Sequence, residues 1–346
     1  MNIRKVVLSL ALIGSVGCAG YAGFAATSSR YHVIKRVPLG GGGFWDYLHI
    51  DSPSRRLYIG RSDRVMVIDL DSEKLVGEIN GMNGVHGVCV LPNLNKGFVT
   101  SGKDNTVRVF DLQTLKEIAQ VKAGDKPDAI TYDQSSKRIF VFNNGGTTAT
   151  VIEPTNLKTG TVELLGAPEA GVSDGKGKVY VNLEDKNEIA VIDSKKLSVV
   201  NRFKLNSGTE PTSLAIDLKH RRLFSGCHNQ KMVILNADTG KVITTLPIGA
   251  GVDGTLFDVE TQNVFSSNGD GTLTVIHEKD LDTFEVTQNV ETESGARTMD
   301  MDTKTHRIWL ATAKLTDAAN ASVQQNRHHK SIVPDSFTAI EVGDKW

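Results

Sequence analysis

A basic or polar residue, an aliphatic residue and an aromatic recur seven times along this chain. The copies are Arg56-Leu57-Tyr58, Lys96-Gly97-Phe98 with glycine in the aliphatic place, Arg138-Ile139-Phe140, Lys178-Val179-Tyr180, Arg222-Leu223-Phe224, Asn263-Val264-Phe265 and Arg307-Ile308-Trp309. Their aromatics fall 40, 42, 40, 44, 41 and 44 residues apart. A fixed period of about forty residues is the mark of a repeat architecture in which each unit buries its apolar face against the next. No 3.6-residue apolar stripe accompanies the anchors, which excludes helical solenoids. In repeat one the segments WDYLHID, RRLYIG, RVMVIDL and LVGEING read as four strands, and repeat four gives AGVSD, KVYVNL, EIAVID and LSVVNRFKL. The second and third strands are nearly continuously apolar, as in a sheet covered on both faces. Turns rich in Asp, Thr, Lys and Gly (DSEK, LQTLK, PTNLK, SKKLS, ADTGK) join third strand to fourth. The expected fold is all-β, a seven-bladed β-propeller.

The seventh repeat supplies RTMDMD, RIWLATA and FTAIEVG but ends at Trp346 before a fourth strand. The segment from Tyr31 to Gly40, YHVIKRVPLG, matches fourth strands such as KVITTLPIG of repeat five. The N-terminal segment is therefore expected to pair into the last blade and close the ring, removing an exposed strand edge.

Ahead of it, Arg4 and Lys5 precede an apolar run from Val6 to Val16 and a small-residue stretch through Ala26. That is the pattern of a secretory signal over residues 1–26, cleaved after Ala25, leaving a single propeller domain at 27–346. Cys18 follows the small Gly17, as at a lipidation site, but Ser15 stands where such sites place Leu, so a lipid-free mature chain in the periplasm or outside the cell is expected. No later segment is apolar enough for a transmembrane helix. Charged residues make up 23% and the net charge is −1, which excludes a disordered tail and argues against a nucleic-acid partner. Cys89 and Cys227 fall in repeats two and five, too far apart around the ring to pair, with Cys227 read into a polar turn. The domain is expected to be a monomer held together by core packing.

The run KVYVNLEDKNEIAVIDSKKLSVV, with Tyr180-Val181-Asn182 followed by Val191-Ile192-Asp193, resembles the YVTN-type propeller repeat of the YncE-like exported bacterial proteins. The resemblance covers residues 31 to 346, although the tyrosine becomes Phe or Trp, and the asparagine is mostly lost, outside repeat four. It implies a periplasmic propeller and carries no catalytic residue set.

Most polar signals read as structural. Asp69, Asp111, Glu153, Asp193 and Asn236 each end a third strand, where a side chain is expected to hydrogen-bond the backbone of the next turn. Gly40 to Gly43 precedes a strand, not a helix, so it is a close-approach loop rather than a phosphate cradle. Asn268-Gly269-Asp270-Gly271 reads as a hairpin rather than a calcium loop. GxSxG, HExxH and zinc-spaced cysteine pairs are absent. His328 and His329 lie in the long connection from Lys314 to Ser336 and read as solvated loop histidines. Cys227 and His228 occupy the corresponding connection of blade five, where either has access to a ligand.

One column stands apart. Aligning the first strands places Asp46, His86, Asp128, Glu169, Thr212, Asp253 and Arg297 at one blade position, at the mouth of the central channel. Two readings follow: a hydrated lining that satisfies strand ends, or a site of convergent polar groups for a small polar ligand, a protein partner or a divalent cation. The leading expectation is binding without catalysis. The alternatives are a lactonase-type hydrolase, with His86 as base, Arg297 stabilising developing negative charge and the carboxylates holding a cation, and a subunit docking onto a periplasmic redox partner.

Overall fold

The computed structural model describes residues 31–317 and 330–344. Residues 1–26, read above as a signal, with Cys18, and His328 and His329, lie outside them. Seven four-stranded antiparallel sheets stand around a central channel. Their inner strands are Trp45–Asp51, Val85–Leu91, Pro127–Asp133, Pro168–Ser173, Pro211–Asp217, Val252–Asp258 and Met299–Asp302. Blades one to six run inward to outward in chain order. Blade seven is composite, ordered Met299–Asp302, Arg307–Thr312, Thr338–Asp344 and, outermost, Tyr31–Pro38.

The closing strand pairs in register from Tyr31 opposite Asp344 to Pro38 opposite Thr338, with a bulge between Val33 and Lys35. Its first residue is also fastened to blade six. The Tyr31 amide donates to Gln288 Oε1 at 3.1 Å while Gln288 Nε2 donates to the Tyr31 carbonyl at 2.7 Å. The buried Tyr31 ring meets Phe265 edge-on at 5.0 Å.

All seven anchor aromatics are buried, and the apolar clusters straddle blade boundaries. In blade four the Tyr-Val-Asn motif proves to be a clamp on blade five. Tyr180 Oη donates to the Ala237 carbonyl at 3.0 Å, Asn182 Nδ2 donates to the Ser213 carbonyl at 2.9 Å, and Ser225 Oγ donates back to Asn182. Tyrosine and asparagine at this spacing serve because both faces of a strand two from the axis press on a neighbour, and their buried polar tips need partners.

The polar side chains that end third strands accept from the following turn as expected at Asp69, Asp111, Asp193 and Asn236. Glu153 does not; its longer side chain turns instead to Arg138 at 3.0 Å. Cys227 also departs from expectation. It is the last residue of the strand Arg222–Cys227 and fully buried, so it is not a turn residue open to ligand, and Cys89 is buried too, with no disulfide among the described residues.

The glycine loop surrounds an arginine. Arg61 is fully buried and donates to the carbonyls of Gly42 (2.7 Å), Gly43 (2.8 Å) and Phe44 (3.3 Å), with its guanidinium 3.5 Å from the centre of the Phe337 ring. Gly40, Gly41 and Gly43 hold positive φ, which lets the loop turn its carbonyls inward. It is the reverse of a phosphate cradle, a ring of acceptors around a cation. Burial, with Arg64 nearby, lowers the Arg61 pKa to about 10, which leaves it charged at neutral pH.

Candidate functional site at the channel mouth

The inner strands begin at the mouth, and blades one to six share a local fault there. The pairing between first and second strands shifts register between Trp45 and Leu48, Val85 and Val88, Pro127 and Ile130, Pro168 and Gly171, Pro211 and Ser213, and Val252 and Gly254. The second residue of each strand sits inside that bulge: Asp46, His86, Asp128, Glu169, Thr212 and Asp253. A bulge releases its residue from the ladder and re-aims the side chain, and prolines at three of the six strand starts fit a first position that gives no ladder hydrogen bond. Hydroxyls from adjoining blades hold the loosened backbone: Thr298 donates to the Asp46 carbonyl (2.8 Å), Thr100 to that of Asp128 (2.6 Å) and Thr212 to that of Val252 (2.8 Å). In blade seven Arg297 precedes its strand and reaches the same rim.

The column falls into two connected groups. In the first, His86 Nδ1 lies 2.5 Å from Asp46 Oδ2 and 3.5 Å from Asp128 Oδ1. One ligating atom from each of the three lies within 4.8 Å of the others, a spacing that can take a metal ion. Gly102 makes room for the imidazole, since a Cβ there would come within 2.8 Å of Nε2. In the second, Glu169, Thr212, His228, Asp253 and Arg297 line a cavity of ≈ 450 Å³. Arg297 Nε meets Asp253 Oδ2 at 2.5 Å, and Thr212 is committed to the Val252 carbonyl. His228 stands half-exposed at the rim, 3.4 Å from Glu210.

Crowding and burial decide the charges. Burial, helped by Asp46 and Asp253 and opposed by His86 and Lys126, pushes the Asp128 carboxyl up to about 7. Burial and the charges of Asp128, Asp253 and Glu184 push Glu169 up to about 9, so at neutral pH it carries a proton and can donate. Asp253 is raised by burial against the pull of Arg297. For His86, burial favours the neutral ring, but the hydrogen bond to Asp46 and the charges of Asp128 and Asp46 outweigh it and raise the pKa. The mouth is thus acidic and short of positive charge.

Several contributors were not read from the sequence. Tyr47, next to Asp46, crosses from blade one to pack on the apolar cluster of blades three and four that includes Phe142 and Val181. Burial and the charges of Asp128, Glu169, Asp253 and Asp46 hold its pKa well above the ordinary tyrosine value. Its ring is a floor under the mouth; beneath lies a second channel cavity of ≈ 260 Å³. Asn144 relays between Lys126 (2.7 Å) and Glu169 (2.9 Å). Glu184 also lines the cavity, and Leu315 reaches it from a two-stranded hairpin, Leu315–Asp317 with Lys330–Ile332, in the long connection of blade seven. An aromatic beside a column acid was the available signal for Tyr47; the loop residues follow no repeat.

Fold and site together define a seven-bladed β-propeller with a carboxylate-rich channel mouth. No protein-family model matches the chain, and no curated protein matches it. Among solved structures it is similar to a chain of Kuenenia stuttgartiensis hydrazine synthase, with 15% identity and a TM-score of 0.50 over 69% of this chain and 96% of that one. It is similar also to a chain in the crystal structure of a mitotic checkpoint complex, with 11% identity and a TM-score of 0.70 over 100% of both. At these identities the likeness concerns the fold alone. Among the described residues no helix is long and apolar enough to cross a membrane.

Proposed function

We propose that this chain is an exported, monomeric propeller of the YVTN type that binds a small polar ligand in its channel mouth. The observation that carries this reading is the bulge repeated in six blades, each placing a polar or ionisable side chain at the rim of one channel. The balance of charge favours a ligand with a cationic group or several hydroxyls, the cation facing Asp128 and Asp253 and hydroxyls meeting Glu169 and Arg297. Export rests on the signal-like residues 1–26, and the family reading on Tyr180-Val181-Asn182 and Val191-Ile192-Asp193.

A cation-assisted hydrolase is the second reading, supported by the Asp46, His86 and Asp128 cluster. Those residues would hold the ion, and the ion would supply an activated water. Binding is preferred because the polar rim extends beyond that cluster to Glu169, Asp253 and Arg297, which line a cavity of their own. The test is a thermal-shift panel of polyols, amino acids, polyamines and divalent cations on wild type, His86→Ala and Arg297→Ala. Compounds that raise the wild-type midpoint but not those of the variants support the reading; identical responses in all three refute it.

A further inference from the structure

A second cluster lies at the opposite end of the inner strands, on the boundary of blades five and six, and it arises where the repeat is broken twice. The Asp that ends an inner strand is capped three residues on by Ser136, Thr261 and Thr305 in blades three, six and seven; in blade five that position is His220. The residue whose amide closes the turn before the second strand is the buried Leu70, Leu112 and Ala237 in blades one, two and five, each just past its third strand; in blade six it is Glu278, the last residue of the strand Thr272–Glu278. The two exceptions meet. His220 Nδ1 lies 2.9 Å from Asp217 Oδ2 and 3.0 Å from Glu278 Oε1.

We propose that Asp217, His220 and Glu278 form a site for a divalent transition metal such as zinc, which staples blade five to blade six. The three ligating atoms lie within 4.8 Å of one another, and the two histidine–carboxylate separations need to open by only a few tenths of an ångström to match a tetrahedral zinc shell, whose neighbouring donors sit about 3.3 to 3.6 Å apart. One imidazole and two carboxylates are donors that zinc accepts. Asp217 is held ready by the amides of Lys219 (2.8 Å) and His220 (3.0 Å), an outer set of bonds that aims the carboxylate.

The decisive detail is Glu278 Oε2. Its residue is 2% exposed, yet this oxygen has no hydrogen-bond partner among the described residues. A buried carboxylate oxygen left without a donor is costly, and a cation taken bidentately by both oxygens of this carboxylate would satisfy it. The nearby Arg222 does not fill that role, because it is spent on the carbonyls of His220 and Leu281 and on Asp282. Blade six and seven offer a contrast: His306 bonds Asp258 through Nδ1 and Glu260 through Nε2, so its carboxylates stand on opposite sides of the ring and cannot share an ion.

The experiment is zinc and cobalt(II) titration of the full chain after chelator treatment, followed by calorimetry, cobalt absorption and thermal unfolding. It uses wild type, Glu278→Gln, His220→Asn, and Asp46→Asn, which disables the mouth cluster. The expected result is one equivalent bound in wild type and in Asp46→Asn, with a raised unfolding midpoint and a tetrahedral cobalt spectrum. Affinity should fall at least tenfold in Glu278→Gln and His220→Asn. Glu278→Gln keeps the side-chain volume, and its metal-free melt reports separately on folding. Failure of Asp46→Asn to bind zinc, or unchanged affinity in Glu278→Gln, would overturn the proposal.

Discussion

His86 Nδ1 stands 2.5 Å from Asp46 and 3.5 Å from Asp128, so one imidazole of blade two is held between carboxylates of blades one and three. All three are second residues of bulged inner strands. The ring offsets charges that would otherwise repel across the mouth.

Removing it should therefore be felt by its neighbours. In His86→Ala, Asp128 loses a stabilising charge and should titrate above its present value of about 7, with a stability loss of about 1–3 kcal/mol. Side-chain carboxyl NMR across pH 4 to 9 checks the shift; an unmoved Asp128 would show that the pairing is without electrostatic consequence.

Stability should depend on pH through Glu169. Its pKa rises from 4.5 to about 9 on folding, so the folded state holds the proton more tightly than the unfolded chain. The contribution is full below about 4.5, declines as pH climbs and is gone above about 9. Asp128, raised from 3.8 to about 7, acts with the same sign over its own interval. Glu169→Gln cannot titrate, so its unfolding midpoint should gain on wild type as pH rises from 5 to 9; parallel midpoint curves would contradict this.

Ring closure should be costly to disturb. Tyr31→Ala removes a buried aromatic from between blades six and seven, with an expected loss of about 3 kcal/mol. Deleting residues 31–38 should bare the edge of Thr338–Asp344 and promote aggregation. Urea unfolding and light scattering measure the two effects.

Arg61→Met keeps much of the side-chain volume but strands the carbonyls of Gly42, Gly43 and Phe44 and removes the contact with Phe337. A destabilisation of about 3 kcal/mol is expected. A stabilised variant would mean that burying the unpaired charge costs more than its carbonyl partners return.

The blade number could be read from spacing, because each aromatic anchor is an independent witness to one period, and the closing strand from the likeness of YHVIKRVPLG to fourth strands such as KVITTLPIG. The mouth column was legible for the same reason: Asp46, His86, Asp128, Glu169, Thr212 and Asp253 share a repeat position. What escaped is what departs from the repeat. Tyr47 reaches across the channel, which only the closed ring reveals. Glu153 differs from Asp69 by one methylene, enough to redirect it to Arg138. Cys227 reads as a turn residue because polar neighbours follow it, yet the strand runs one residue further and buries it. His220 and Glu278 are 58 residues apart in sequence, and only the packing of blade five on blade six brings them together.

The central claim, that the acidic mouth above Tyr47 is where this propeller binds, is tested most directly by a crystal structure of the chain with the strongest binder from the thermal-shift panel. A ligand at a hundred times its Kd adds about 2.7 kcal/mol, or about 4 °C in a domain of this size, so such a binder will be evident. The account predicts ligand density inside the cavity lined by Glu169, Asp253 and Arg297, with Tyr47 beneath it. Density seated elsewhere, on the outer strands or on the opposite face, would contradict it.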